Sequence, residues 1–220
     1  MKIVDSTSLV LDLNLFREQK ISYKWSYSPD KGYYKGYKLI LVVEYPSLKP
    51  VAFYLHEGSQ HDSKLFLKIV ENLRRRRILR NGDRIIADKG FCGDENYWKC
   101  VMLHRVEPCI FPKNNLNVRR VNGRFAHPFP ALKNKSLRRL YDKLFRRFDA
   151  FIKSWERFKT VRSIIEDLFK VMKKALSMDK VHRYTERSIA KFVSLIVLLL
   201  GIIISLGFNK KEKLQKLAEM

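Results

Sequence analysis

Residues 84–93 read RIIADKGFCG. Arg84 to Ala87 is a short apolar run entered from the Asn81-Gly82 turn, and it stops at Asp88, with Lys89 and Gly90 directly behind. Such a run, bounded by turn residues, predicts a short strand. The carboxylate that follows has two readings. It is a solvated turn residue, or it stands at the carboxyl end of a core strand, where an open α/β sheet presents its chemistry. The rest of the chain decides between them.

Working outward, residues 2–4 predict a strand ending at Asp5-Ser6-Thr7, and 37–44 and 50–56 predict a hairpin whose connection is bracketed by Pro46 and Pro50. From 64 to 77 the period changes. Leu65, Phe66, Ile69, Val70 and Leu73 recur at helical spacing, with Asp62 or Ser63 available as the cap. A helix is predicted over 93–104, a fifth strand over 109–111, an amphipathic helix over 160–177 and a far more apolar one over 185–208. The order implies an α/β fold, a mixed five-stranded sheet flanked by helices, and not a bundle or a sandwich.

The chain carries 45 Lys and Arg against 22 Asp and Glu, a net +23 over 220 residues. That excess points to a polyanionic partner, most simply nucleic acid. With 46% apolar and 12% aromatic residues it is not a disordered basic tail. Cys92, Cys100 and Cys109 lack zinc-finger spacing, and their odd number argues against a disulfide framework. The opening MKIVDST has no apolar stretch of the kind a secretion signal uses, so a cytoplasmic location beside the nucleoid is expected. Charge is most concentrated over 113–148, where four Lys and seven Arg face a single acid, Asp142. Phe125, Phe129, Tyr141, Phe145 and Phe148 are interleaved with them.

Three acids stand at strand ends or on a helix face: Asp5, Asp88 and Glu166. On a helix of about 100° per residue, Arg162, Glu166, Phe169 and Lys173 fall within a stripe of roughly 60°. Val161, Ile165, Leu168, Met172 and Leu176 form the adjoining core face. Asp12 is a rival for the first acid and Asp167 for the third, and Arg162 with Glu166 also reads as a surface pair four residues apart. Three clustered carboxylates suit two hard cations, Mg²⁺ or Mn²⁺, about 3.5–4 Å apart, which clamp the attacking and leaving oxygens of a phosphoryl transfer. Arg162 and Lys173 would then hold phosphate oxygens.

These residues resemble the DDE transposases of prokaryotic insertion sequences, in the group of insertion-sequence families four and five. Asp5-Ser6-Thr7 is similar to the strand bearing the first Asp, and Gly36-Tyr37-Lys38-Leu39 to the glycine-led second strand. His61-Asp62-Ser63 resembles the turn before the first helix, and Ala87-Asp88-Lys89-Gly90-Phe91 the second-Asp motif. Arg162, Glu166 and Lys173 fall at the spacing of that group's Arg, catalytic Glu and Lys. The resemblance implies an RNase H-like core with Asp5, Asp88 and Glu166 as catalytic, metal-binding residues for two Mg²⁺ or Mn²⁺ ions. It also implies DNA as partner, both element ends and target, and a homodimer on it.

The expected organisation is a first part of the core over 1–112, a basic DNA-facing insertion over 113–150, core helices over 151–208 and a basic tail over 209–220. Lys89, Arg119, Arg120, Arg124, Arg138, Arg139, Arg162 and Lys173 are the expected DNA contacts. Two departures stand out. Lys159 occupies a place where the group usually has Tyr, and Asp5 lies so near the start that an excised catalytic domain, one frame of a split gene or a shorter variant is expected. The alternatives are a DNA-binding remnant without turnover and a basic membrane-associated protein. The latter would use 192–208, a stretch of 17 uncharged residues read here as a buried helix, with no membrane role.

Overall fold

The computed structural model describes residues 1–12, 25–28, 32–125, 134–182 and 185–219. Phe129 lies outside them. The chain forms two compact units, Met1–Val4 with His61–Arg162 and Asp5–Gln60 with Ser163–Met220. Parallel and antiparallel strands are flanked by helices, the mixed α/β architecture that the order of periods predicts.

In the first unit, the start of β1 (Lys2–Leu11) pairs in parallel with β5 (Arg84–Ala87), and β5 with β6 (Glu107–Ile110). Ile3, Val4, Ile85, Ile86, Ala87, Cys109 and Ile110 are fully buried. Burial on both faces explains why these strands read as unbroken apolar runs and not as alternating ones. Helix α1 (Asp62–Arg75) buries the five apolar residues its period marks, and α2 (Asp94–Met102) follows β5.

Most of the described part of the basic segment is helical. It contains α3 (Val118–Phe125) and most of α4 (Lys135–Ser154), the latter capped by Asn134, whose side chain accepts from the amides of Ser136 and Leu137. Tyr141 and Leu144 pack with Val101 and Met102, and Phe151 joins Ile86, Cys109 and Phe111. Phe125 lies 5.3 Å, ring to ring, from both Phe145 and Phe148. Of its described aromatics Tyr141 and Phe148 are buried, Phe125 is half-buried and Phe145 exposed, and its described cations other than Arg147 are exposed.

Beneath α4 sits a fully buried carboxylate, Glu107. The Arg84 guanidinium donates to Glu107 Oε1 at 2.8 Å, and that of Arg147 on α4 reaches Oε2 at 3.3 Å. A charge taken out of water needs such partners. Arg84 also lies over the Phe158 ring at 5.2 Å.

In the second unit the strand order is β2 (Trp25–Ser28), β3 (Gly32–Glu44), then the remainder of β1; β4 (Pro50–Glu57) pairs with β3 and β7 (Lys180–Val181) with β1. All five expected strands form, and β2 and β7 are additions. Strand β1 runs on to Leu11, past the expected end at Asp5, because it gains β3 as a neighbour and pairs Val10 and Leu11 with Lys180 and Val181. A Cβ on Gly36 would stand 2.0 Å from the Leu9 carbonyl oxygen, so only glycine lets β3 approach β1 there. Gly36→Ala is expected to cost about 1–3 kcal/mol, read as a lowered denaturant midpoint; an unchanged midpoint would contradict it.

Helices α5 (Lys159–Lys174), α6 (Glu186–Ser205) and α7 (Lys211–Glu219) complete the described elements. Helix α6 packs on β4 and buries Ile189, Val193, Ile196, Leu200 and Ile204. Its other side leaves Leu195, Leu198, Ile202 and Leu206 exposed. By length and composition α6 is also apolar enough to cross a bilayer.

Candidate active site

Strand β5 ends where the sequence predicts, and Asp88 follows it in extended conformation as the lead residue of a single 3-10 turn, Lys89–Phe91. The Phe91 amide donates to the Asp88 carbonyl at 3.0 Å, and the Phe111 amide donates to Ala87 at 3.0 Å. These bonds fix the backbone on either side of the carboxylate. Phe91 is fully buried, 5.9 Å from Phe66 of α1.

The turn that starts α1 is brought against this one. A Cβ on Gly90 would meet Asp62 Oδ2 at 3.0 Å, and Asn96 Nδ2 donates at 2.8 Å both to the Ser63 carbonyl and to that of Phe91. One nearly buried amide thus ties together two motifs that lie 25 residues apart in the sequence, Asp62-Ser63 and Asp88-Lys89-Gly90. Asn96 was missed from sequence, since a lone Asn in a helix carries no local signal. The Arg162 guanidinium Nε lies 3.6 Å from Asp88 Oδ1, both side chains being partly buried. The expected cation therefore stands on the second Asp.

Strand register in the first unit pairs Val4 with Ala87. The next residue along each strand is an acid, Asp5 after Val4 and Asp88 after Ala87. Asp5 is 6% exposed, and its Oδ1 accepts from the Ser6 amide at 2.8 Å. The rival Asp12 lies at the far end of β1. Its amide donates to Val181, and its carboxylate lies 3.6 Å from His182 Nδ1, which gives it a place in fastening β7.

On α5, Glu166 is exposed, whereas Asp167 is buried and pairs with Lys170 at 3.5 Å. The expected stripe is split by burial: Phe169 is core, Arg162 and Lys173 are half-buried. The expected core face holds at Ile165, Leu168 and Met172, with Val161 and Leu176 only partly covered.

Among the described residues no group of three or more His, Cys, Asp or Glu is arranged to hold a metal ion. The donors that the strand ends offer are carboxylate oxygens, the type that Mg²⁺ and Mn²⁺ take. Thiolate ligation has no counterpart here. All three cysteines are free and buried, and burial pushes the Cys100 and Cys109 thiols up, Cys109 being raised further by the neighbouring Glu107. The donor chemistry fits a hard cation.

Most of the outer cations lie on two helices that the sequence reading did not anticipate, α3 and α4. Arg119 and Arg124 on α3, Arg138 and Arg139 on α4, and Lys89 beside Asp88 are exposed. Arg120 is exposed as well but is ion-paired with Asp94. That partner lies 26 residues away, out of reach of any local pattern.

The family model described as "Transposase DDE domain" matches residues 2–202. No curated protein matches the chain.

Proposed function

The chain belongs to the transposase DDE domain family, and from that premise we propose that it cuts and rejoins DNA at the ends of a mobile element. Two displacements are involved. Water attacks a phosphodiester phosphorus and breaks its P–O3′ bond, leaving a 3′-hydroxyl and a 5′-phosphate. That hydroxyl then attacks a phosphorus of the target strand and displaces the target's own 3′-oxygen, which leaves as a hydroxyl. Asp5, Asp88 and Glu166 would hold the divalent cations, two Mg²⁺ or Mn²⁺. When bound, these supply Lewis-acid stabilisation of the attacking and leaving oxygens.

The protein's own groups do the rest. Arg162 holds the Asp88 carboxylate and presents a planar fork to phosphate oxygens. Lys89 and Lys173 add point charges, and the cations of α3 and α4 neutralise phosphates without reading sequence. A dimer on DNA, one site for each element end, and a place on cytoplasmic DNA belong to the same reading.

The observation that carries it is the register pair Val4–Ala87, followed on each strand by an acid, within a chain of this family. The alternative is a binding-only remnant without turnover. The purified chain is expected to nick duplex DNA carrying the element's ends in Mg²⁺ and to stop on chelation. Salt-sensitive binding with no cleavage in Mg²⁺ or Mn²⁺ would overturn the proposal in favour of the remnant.

A further inference from the structure

We propose that the outer face of the β2–β3 hairpin is a stacking platform for unpaired nucleobases. Register across the hairpin sets Trp25 opposite Lys35 and Tyr27 opposite Tyr33. Side chains alternate along a strand, so these four share one face. Trp25 is 63% exposed, Tyr27 63% and Tyr33 77%. The two tyrosine rings meet edge-on at 5.3 Å, and the Lys35 ammonium lies 5.1 Å from the Trp25 ring.

The opposite face is seated. Ser26 and Tyr34 are buried, and a Cβ on Gly58 would come within 2.4 Å of Ser26 Oγ and 3.0 Å of the Tyr34 hydroxyl. A hairpin that seats one tyrosine and a serine but turns three of its four large aromatics to water is arranged the wrong way round for folding alone. Aromatic rings left in water forgo most of the gain that burying them brings.

The chemistry of the face selects its occupant. An apolar protein segment would be met by aliphatic side chains and would gain nothing from an ammonium. A nucleic-acid strand offers flat π-faces to the rings and phosphates to Lys35, on a chain with net charge +23. In a duplex each base is already stacked on both sides, so the platform takes a single strand or a frayed end. Among the described aromatics of the basic segment Tyr141 and Phe148 are core, and Phe145, at 36%, is far less exposed than Trp25, Tyr27 or Tyr33.

This inference needs a nucleic acid as partner but not turnover. The test is binding of the full chain, in chelator, to labelled oligothymidine and to a duplex of equal length. Trp25→Ala with Tyr33→Ala is expected to weaken single-strand binding about tenfold or more and to leave duplex binding at the wild-type value. Tyr33→Phe is expected to keep single-strand affinity. Unchanged thermal melting would show that the exposed substitutions leave the fold intact. Equal losses on both substrates, or no loss on either, would overturn the platform. So would loss of a concentration-dependent dimer with nucleic-acid binding unaltered, which would assign the face to a second copy. A chain that stacks single strands yet never cuts would leave this inference standing while sinking the cleavage reading.

Discussion

Asp88→Asn is expected to lower Mg²⁺-dependent strand cleavage by about 10³-fold or more, with DNA affinity kept or slightly raised. The amide has the size and shape of the carboxylate, so the turn beneath it, held by backbone bonds from Phe91 and Phe111, has no reason to move. What disappears is the charge. A bound cation contributes several kcal/mol of transition-state stabilisation, and each 1.36 kcal/mol is tenfold in rate. Arg162, 3.6 Å from Oδ1, loses the charge of one neighbour, which lowers the local negative potential that a phosphate meets. Single-turnover cleavage and an equilibrium binding titration on the same preparation separate the two effects. Wild-type cleavage by the Asn variant would remove Asp88 from the chemistry.

Glu107→Ala is expected to destabilise the protein by about 2–4 kcal/mol, less than a fully buried pair would cost, because the Arg84 and Arg147 side chains it leaves are 32% and 39% exposed and water takes up part of their charge. For a chain of this size that corresponds to a fall in melting temperature of about 10 °C. The pair Lys153–Asp149 is the control. It is closer, at 2.7 Å, but Lys153 is 73% exposed, and Asp149→Ala is expected to shift stability by no more than about 1 kcal/mol. Thermal unfolding of both variants decides the matter. Equal shifts would mean that Glu107 is no more than a surface charge in energetic terms.

Strand β5 and Asp88 were legible because an apolar run closed by Asp-Lys-Gly is a local signal, and so was α1, whose five buried residues repeat at helical spacing. Strand β1 was cut short because Asp5, Ser6, Thr7 and Ser8 look like a turn, although its burial resumes at Leu9 and Leu11. Its later pairing partner, β7, lies about 170 residues on. The helices of the basic segment were hidden by composition, since an apolar stripe is hard to see among so many cations. Strand β2 was missed for the opposite reason. Its aromatics face outward, so the alternation points away from the core.

The tie made by Asn96 in the candidate site and the burial of Glu107 beneath α4 had no sequence signature. The partners of Glu107 are 23 and 40 residues away, and no spacing rule spans such gaps. The split of the α5 stripe likewise depends on what packs against the helix: helical geometry placed Glu166 and Phe169 together, and burial divided them.

The parallel pairing of β1 with β5 also governs how the polypeptide matures during synthesis. Lys2–Val4 emerge from the ribosome roughly eighty residues ahead of Ile85–Ala87, a wait of roughly ten seconds at ordinary elongation rates. Throughout that interval Ile3 and Val4 are a strand without its eventual neighbour. Lys2 on one side and Asp5 on the other act as gatekeepers, keeping so short an apolar segment from being captured by another nascent chain.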